Sequence, residues 1–250
     1  MIRIQGLSKR LGRKQVLDGV DLEIPTGCTM VVIGQSGTGK SVLLKHIIGL
    51  MQPDAGRIEV DGTVLTGLGE HALNEVRKRF GMLFQGAALF DSLSVGENIA
   101  LPMREHTDMP AARIRERVAE RLEWVGLPGI EDMRPASLSG GMRKRVALAR
   151  AIAMDPAYIL YDEPTTGLDP IMSDTINRLI RSLQARIGVT SIVVTHDLHS
   201  AFAVGDRMAM LHDGKVVFSG STDETRSTTD ARVRQFIEGS SVGPLTTGAA

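Results

Sequence analysis

The chain has 250 residues, of which 29 are basic and 29 acidic, so its formal net charge is zero and it lacks the broad positive footprint of a nonspecific nucleic-acid binder. Its one cysteine, Cys28, excludes an intrachain disulfide framework and reads as a small apolar filler in a reducing compartment. No stretch nears the ~20 apolar residues that span a bilayer, and Met1-Ile2-Arg3-Ile4-Gln5 alternates like a strand rather than a secretory signal; a cytoplasmic chain that meets a membrane only through a partner is expected.

Val20, Leu22 and Ile24 alternate with Asp21 and Glu23, and Ile58 and Val60 flank Glu59 before the turn pair Asp61-Gly62, which predicts an antiparallel β region. Between them, Met30-Val31-Val32-Ile33 reads as a short buried strand running into a glycine-rich loop. Residues 41–50 then read as a helix that buries Leu43, Leu44, Ile47 and Ile48. From 111 to 125, Ile114, Val118 and Leu122 recur at helical spacing among charges, which predicts a helical insertion. The apolar runs 157–161 and 191–195, separated by a helix around 176–183, predict the alternation of a parallel sheet. A closing hairpin is expected over Met208 to Phe218, a short helix over 231–238 with Val233, Phe236 and Ile237 on one face, and a mobile Gly/Ser/Thr-rich tail over 240–250.

Three motifs carry chemistry. Gly34-Gln35-Ser36-Gly37-Thr38-Gly39-Lys40-Ser41 matches G-x-x-x-x-G-K-[ST], and it follows a strand and opens a helix, as a phosphate-binding loop must. Its glycines free backbone N–H groups to wrap phosphates, Lys40 brings positive charge, Ser41 offers a hydroxyl to Mg²⁺, and the helix starting near Val42 points its N-terminus at the anion. Tyr158-Ile159-Leu160-Tyr161-Asp162-Glu163 ends an apolar strand in two carboxylates, suited to holding Mg²⁺ (Asp162) and polarising an attacking water (Glu163); alone, the pair is equally a solvated turn. Leu138-Ser139-Gly140-Gly141-Met142 opens an amphipathic helix running to about Met154, its small residues leaving N–H groups open to an anion; Ser139 alone is equally an ordinary helix cap.

Taken together, Gly34 to Ser41, Gln85, Leu138 to Met142, Asp162-Glu163, Asp169 and His196 resemble the nucleotide-binding subunits of ABC transporters over nearly the whole chain. The resemblance implies an α/β fold: a P-loop NTPase core, RecA-like with a mostly parallel sheet, carrying an antiparallel β subdomain and an inserted helical subdomain. The expected divisions are 1–85 (β subdomain and first part of the core), 86–154 (helical subdomain with the signature motif), 155–222 (second part of the core) and 223–250 (C-terminal helix and tail). It implies ATP and Mg²⁺, with Glu163, His196 and Gln85 catalytic, and Ser41, Gln85 and Asp162 on the metal. Nucleotide contacts are expected from Gly34, Gln35, Ser36, Gly37, Thr38, Gly39, Lys40, Ser41, Val42, Asp169 and, across a head-to-tail homodimer, Ser139, Gly140 and Gly141.

Two positions depart from the family pattern. Leu11 stands where an aromatic residue usually stacks on adenine, and Met142 replaces the commoner glutamine. Met142, with Gly81-Met82-Leu83-Phe84-Gln85-Gly86-Ala87-Ala88-Leu89-Phe90-Asp91-Ser92-Leu93, Leu168-Asp169-Pro170-Ile171 and Val233-Arg234-Gln235-Phe236, resembles the ATPase of Mla-type phospholipid transport systems. That resemblance implies an integral-membrane permease and an MCE-domain lipid-binding protein as partners, residence on the cytoplasmic face of the inner membrane, and upkeep of outer-membrane lipid asymmetry. Gly96 stands where a bulkier residue is usual. The apolar residues among 88–103 read as a partner groove or as cover for the insertion's own core. An importer of a small solute such as an amino acid shares every catalytic motif, while a non-transport ABC ATPase typically carries a long coiled coil or two cassettes in one chain; neither is present.

Overall fold

The computed structural model describes residues 1–246. Along the chain run β1 (Ile2–Leu11), β2 (Lys14–Ile24), β3 (Thr29–Ile33), α1 (Lys40–Ile47), β4 (Ala55–Val60), β5 (Thr63–Val64), α2 (Glu70–Arg77), β6 (Phe80–Leu83), α3 (Val95–His106) and α4 (Ala111–Trp124). A short 3₁₀ turn, Pro135–Ser137, precedes α5 (Gly140–Ala151). There follow β7 (Tyr158–Asp162), α6 (Pro170–Ile187), β8 (Thr190–Thr195), α7 (Leu198–Val204), β9 (Arg207–His212), β10 (Lys215–Ser221), α8 (Thr222–Ser227) and α9 (Ala231–Glu238). These elements form two compact units, one of Met1–Leu68 with the chain from Val193 onward, the other of Gly69–Ile192.

In the first unit a four-stranded sheet takes the order β2-β1-β4-β5. Its register sets Ile2 opposite both Ile24 and Val60, and Ile4 opposite both Leu22 and Ile58. Side chains alternate across a strand, so those six residues share one face, and all six are buried. β3, buried along its whole length, pairs in parallel with β9, which turns back antiparallel into β10. Asp206 ties β3 to this hairpin, its carboxylate accepting the Thr29 N–H at 2.8 Å. Residues 240–246 fold back on α9: the buried Gln235 amide donates to Ser240 O and Thr246 Oγ1 and accepts from Leu245 N. The last four tail positions, 247–250, lie outside the described residues.

In the second unit β6 and β7 run parallel, Leu83 opposite Tyr161, and α5 lies directly on β6. The approach demands glycine: a Cβ at Gly81 would stand 2.2 Å from the Ala151 carbonyl oxygen. Past α5 the buried Arg121 of α4 donates to Ile152 O at 3.1 Å and to Asp155 Oδ1 at 2.5 Å, while its guanidinium lies 3.8 Å from the Trp124 ring centroid. Helix α3, which the charge and apolar pattern does not reveal, starts at a full capping box, Ser94 with Glu97, and tolerates Pro102 inside it. Gly96 is explained here: its N–H donates to Glu131 O at 2.8 Å, and a Cβ would meet that same oxygen at 3.2 Å.

Gly81→Ala forces the Ala151 backbone away from β6 and is expected to cost about 1–3 kcal/mol, the usual range for overpacking, read as a lower urea midpoint at unchanged m-value.

Candidate functional site

In the first unit, the loop after β3 is shaped by glycines in left-handed conformations: Gly34 (φ 153), Gly37 (φ 78) and Gly39 (φ 103). A side chain at Gly34 would collide with Leu211 O at 2.3 Å, and one at Gly39 with Val16 O at 2.9 Å, so β9 and β2 fix the loop's path from two sides. Lys40 is buried, and its ammonium donates to Gly34 O at 2.8 Å and Gln35 O at 3.0 Å, bending over its own loop; Thr38 Oγ1 donates to Gln35 O at 2.9 Å. Ser36 is exposed, while Ser41 and Val42 are half-buried at the start of α1. That helix begins without a side-chain cap and without an acid in its first turn, so its leading N–H groups suit an anion. The start of β2 reaches the same loop, Lys14 Nζ donating to Gly37 O at 3.4 Å; Leu11, at the end of β1, is exposed. His196 follows β8 and is exposed, just before the α7 cap, where Asp197 accepts from His199 N at 3.0 Å.

The second unit gathers the other residues singled out in the sequence. Asp162 closes β7 half-buried, and Glu163 follows it buried, with φ 49, a left-handed backbone that costs a non-glycine residue roughly 1–2 kcal/mol. Glu163 Oε2 accepts from Thr166 Oγ1 at 3.1 Å. Ser139 does cap α5, accepting from Met142 N at 3.2 Å, and Asp169 caps α6, accepting from Ile171 N and Met172 N at 3.0 Å each. Those two caps lie side by side: a Cβ on Gly140 would stand 3.8 Å from Leu168 Cδ2, and one on Gly141 2.5 Å from Met172 Sδ. Gln85 is exposed beyond the end of β6.

Two cations of α5 escape notice in the sequence. Lys144 is buried, and its ammonium donates to Gln85 O at 2.5 Å and Glu163 O at 3.2 Å; burial pushes its pKa down, against the pull of Asp162 and Glu163. Arg150 donates to Ala88 O at 2.8 Å and Ala87 O at 3.1 Å, holding two successive left-handed alanines (φ 50 and φ 63) just past Gln85. The legible signal was Lys144 itself, a charge three residues after Gly141 and four before Leu148 on the buried side of the helix. Next to these clamps an open groove of about 870 Å³ is lined by Met82, Phe84, Phe90, Leu101, Pro102 and Met154, among others, with Phe90 51% exposed.

The family described as ABC transporter matches residues 17–166. The Intermembrane phospholipid transport system ATP-binding protein MlaF of Haemophilus influenzae is 42% identical over 98% of this chain and 93% of its own length; MlaF of Escherichia coli K12 is 40% identical over 98% and 91%. The Probable ribonucleotide transport ATP-binding protein mkl of Mycobacterium leprae is 43% identical over 98% of this chain and 70% of its own. Among solved structures, a dimeric ATP-binding cassette in a post-hydrolysis state bound to ADP and Pi is 33% identical with a TM-score of 0.82, covering 89% of this chain and 99% of that one. Another solved structure, cbiO1 of Clostridium perfringens, part of the ABC transporter complex cbiONQ, is 28% identical with a TM-score of 0.83 over 92% of this chain and 91% of that one.

Replacing Arg150 with Met removes charged hydrogen bonds worth about 1.5–3 kcal/mol from the Ala87-Ala88 backbone. Amides of 86–90 are then expected to exchange hydrogen faster while those of 34–42 keep their rates, as measured by exchange mass spectrometry.

Proposed function

The chain belongs to the ABC transporter family as an ATP-binding, ATP-hydrolysing subunit, and from that premise we propose that it energises the movement of phospholipid between two bacterial membranes. The observation that carries this reading is the continuous match to the two MlaF proteins, which spans over nine-tenths of their length as well as 98% of this chain. The mkl relative is similar over 70% of its length, so the match in extent favours the lipid reading over ribonucleotide transport.

In this proposal the phosphates of ATP lie against the backbone N–H groups of residues 34–42, with Lys40 turning from its loop carbonyls to the anion. The uncapped start of α1 and the absence of acid in its first turn support that assignment. Ser41, Gln85 and Asp162 would offer the hard oxygen ligands that Mg²⁺ takes beside phosphate and water, and the ion would supply charge neutralisation at the outer phosphates. Glu163 acts as the base that polarises the attacking water, and its burial and its Thr166 partner support that role by holding the carboxylate in place. His196 contacts the outer phosphate. Ser139, Gly140 and Gly141 of one copy close on ATP held by a second, with Asp169 beside them; the exposure of Ser139 and Gly140 leaves them open to such a partner. The segment 86–154 serves as the helical subdomain, and 1–85, 155–222 and 223–250 as the remaining divisions.

The partners follow from the same reading. No helix among the described residues is long and apolar enough to cross a membrane, and an integral-membrane permease is the proposed anchor at the inner face of the inner membrane. The groove of Phe84, Phe90 and Leu101 suits an apolar helical segment of that permease, and an MCE-domain protein is the proposed lipid carrier.

Glu163→Gln is expected to bind ATP yet lose about 10²–10⁴-fold in turnover, and Lys40→Ala to lose nucleotide affinity itself, both measured by nucleotide titration and phosphate release. Tagged Glu163→Gln protein drawn from its native membranes with ATP should bring a permease, an MCE-domain protein and phospholipid, identified by mass spectrometry. A permease accompanied by a soluble solute-binding protein, or by nucleotide cargo, would overturn the lipid reading and leave the ATPase standing.

A further inference from the structure

The parallel ladder of β6 and β7 ends at the pair Leu83 and Tyr161. Two residues further along each chain stand Gln85 and Glu163, beyond the last strand pairing, and the Glu163 carbonyl already accepts the Thr166 N–H at 3.3 Å. Helix α5 adds a donor that the two carbonyls share. Its close approach to β6 at Gly81 and Ala151 fixes the helix against the strand, and Lys144 sits two turns back from Ala151, about 10 Å along the axis. From Gly81 to Gln85 the strand direction covers about 13 Å, so the lysine stem spans what remains. The ammonium then meets both carbonyls, 2.5 Å from Gln85 O and 3.2 Å from Glu163 O, and it is 5% exposed. It lies in the helix that Ser139 caps.

We propose that Lys144 is a positioning residue for ATP hydrolysis: by holding the Gln85 and Glu163 backbones in one ammonium, it sets the glutamine amide and the carboxylate as a pair and ties both to the helix of the signature serine. The inference rests on the roles given above to Gln85 and Glu163. Glu163 needs such a tie because its left-handed backbone would otherwise relax, and with it the direction of its carboxylate. A lysine is apt because it donates several hydrogen bonds from one point and its flexible stem reaches past the apolar face of α5. It touches neither nucleotide nor water in this role; it acts through the two loops.

The test compares Lys144→Met, Lys144→Gln and Lys144→Arg in the full chain with its permease. Misplacement of a reacting group by an ångström typically costs about 10²-fold; Lys144→Met is expected to lose on that order in kcat with KM for ATP little changed, Lys144→Arg to recover most of it, and Lys144→Gln to fall between. In the nucleotide-free chain, hydrogen exchange should quicken in 84–88 and 163–167 of Lys144→Met and stay parental in 34–42. A parental kcat in Lys144→Met, or a loss matched by a general rise in exchange across the chain with no rescue by arginine, would overturn the proposal. If Lys144→Met does not fold, the Gln and Arg variants carry the same comparison. Loss of the lipid reading leaves these outcomes untouched, because exchange is read without transport; a Glu163→Gln that turns over ATP at the parental rate would instead remove the premise.

Discussion

Buried backbone carbonyls must find donors, and the ends of β6 and β7 are where this chain has to solve that problem. Along the two strands the ladder does so. Beyond Leu83 and Tyr161 come the loops that carry Gln85 and Glu163, and there Lys144 of α5 donates to both carbonyls, beside the Thr166 N–H on Glu163 O. Everything specific about the second unit follows: α5 must lie close enough for its side chains to reach, so β6 carries Gly81 beneath Ala151, and the helix must begin at Ser139 for Lys144 and Arg150 to fall opposite the two loops. The same helix thereby presents its capped start next to the cap of α6.

The phosphate loop was legible because its demands are local. Left-handed backbone at Gly34, Gly37 and Gly39 and the close approach to Leu211 and Val16 permit only glycine, so the residue pattern states the conformation directly. The alternation of Ile2, Ile4, Leu22, Ile24, Ile58 and Val60 is likewise a local pattern, and the register turns it into one buried face. Ser139 reads in the sequence both as functional and as a cap, and the structure shows it capping α5; the cap that Asp169 makes on α6 is not legible there, and neither conflicts with a further role, since a capping oxygen leaves neighbouring N–H groups and side chains open.

What stayed illegible depends on distance along the chain. Lys144 and Arg150 reach carbonyls 59 and 62 residues away, and no window of sequence shows which carbonyls a buried cation will find. Helix α3 was hidden because Pro102 breaks its expected composition, although the Ser94 and Glu97 capping box marks its start plainly. The contacts of residues 240–246 were illegible for a related reason: the composition there shows no partner, and the buried Gln235 amide reaches Ser240, Leu245 and Thr246 across the helix end.

The clamps on the Gln85 loop are cation to carbonyl rather than cation to carboxylate, and Lys144, the one that also holds Glu163, sits inside the protein. Exposed ion pairs weaken as salt shortens the screening length to about 8 Å at physiological ionic strength, whereas a buried charge on a backbone dipole has no mobile counter-ions around it to do the screening. The loop beside the water-activating carboxylate is thus held by forces that the ionic composition of the cell leaves almost untouched, while the paired charges on the outer faces of the helices, such as Arg178 with Asp174, respond to it freely.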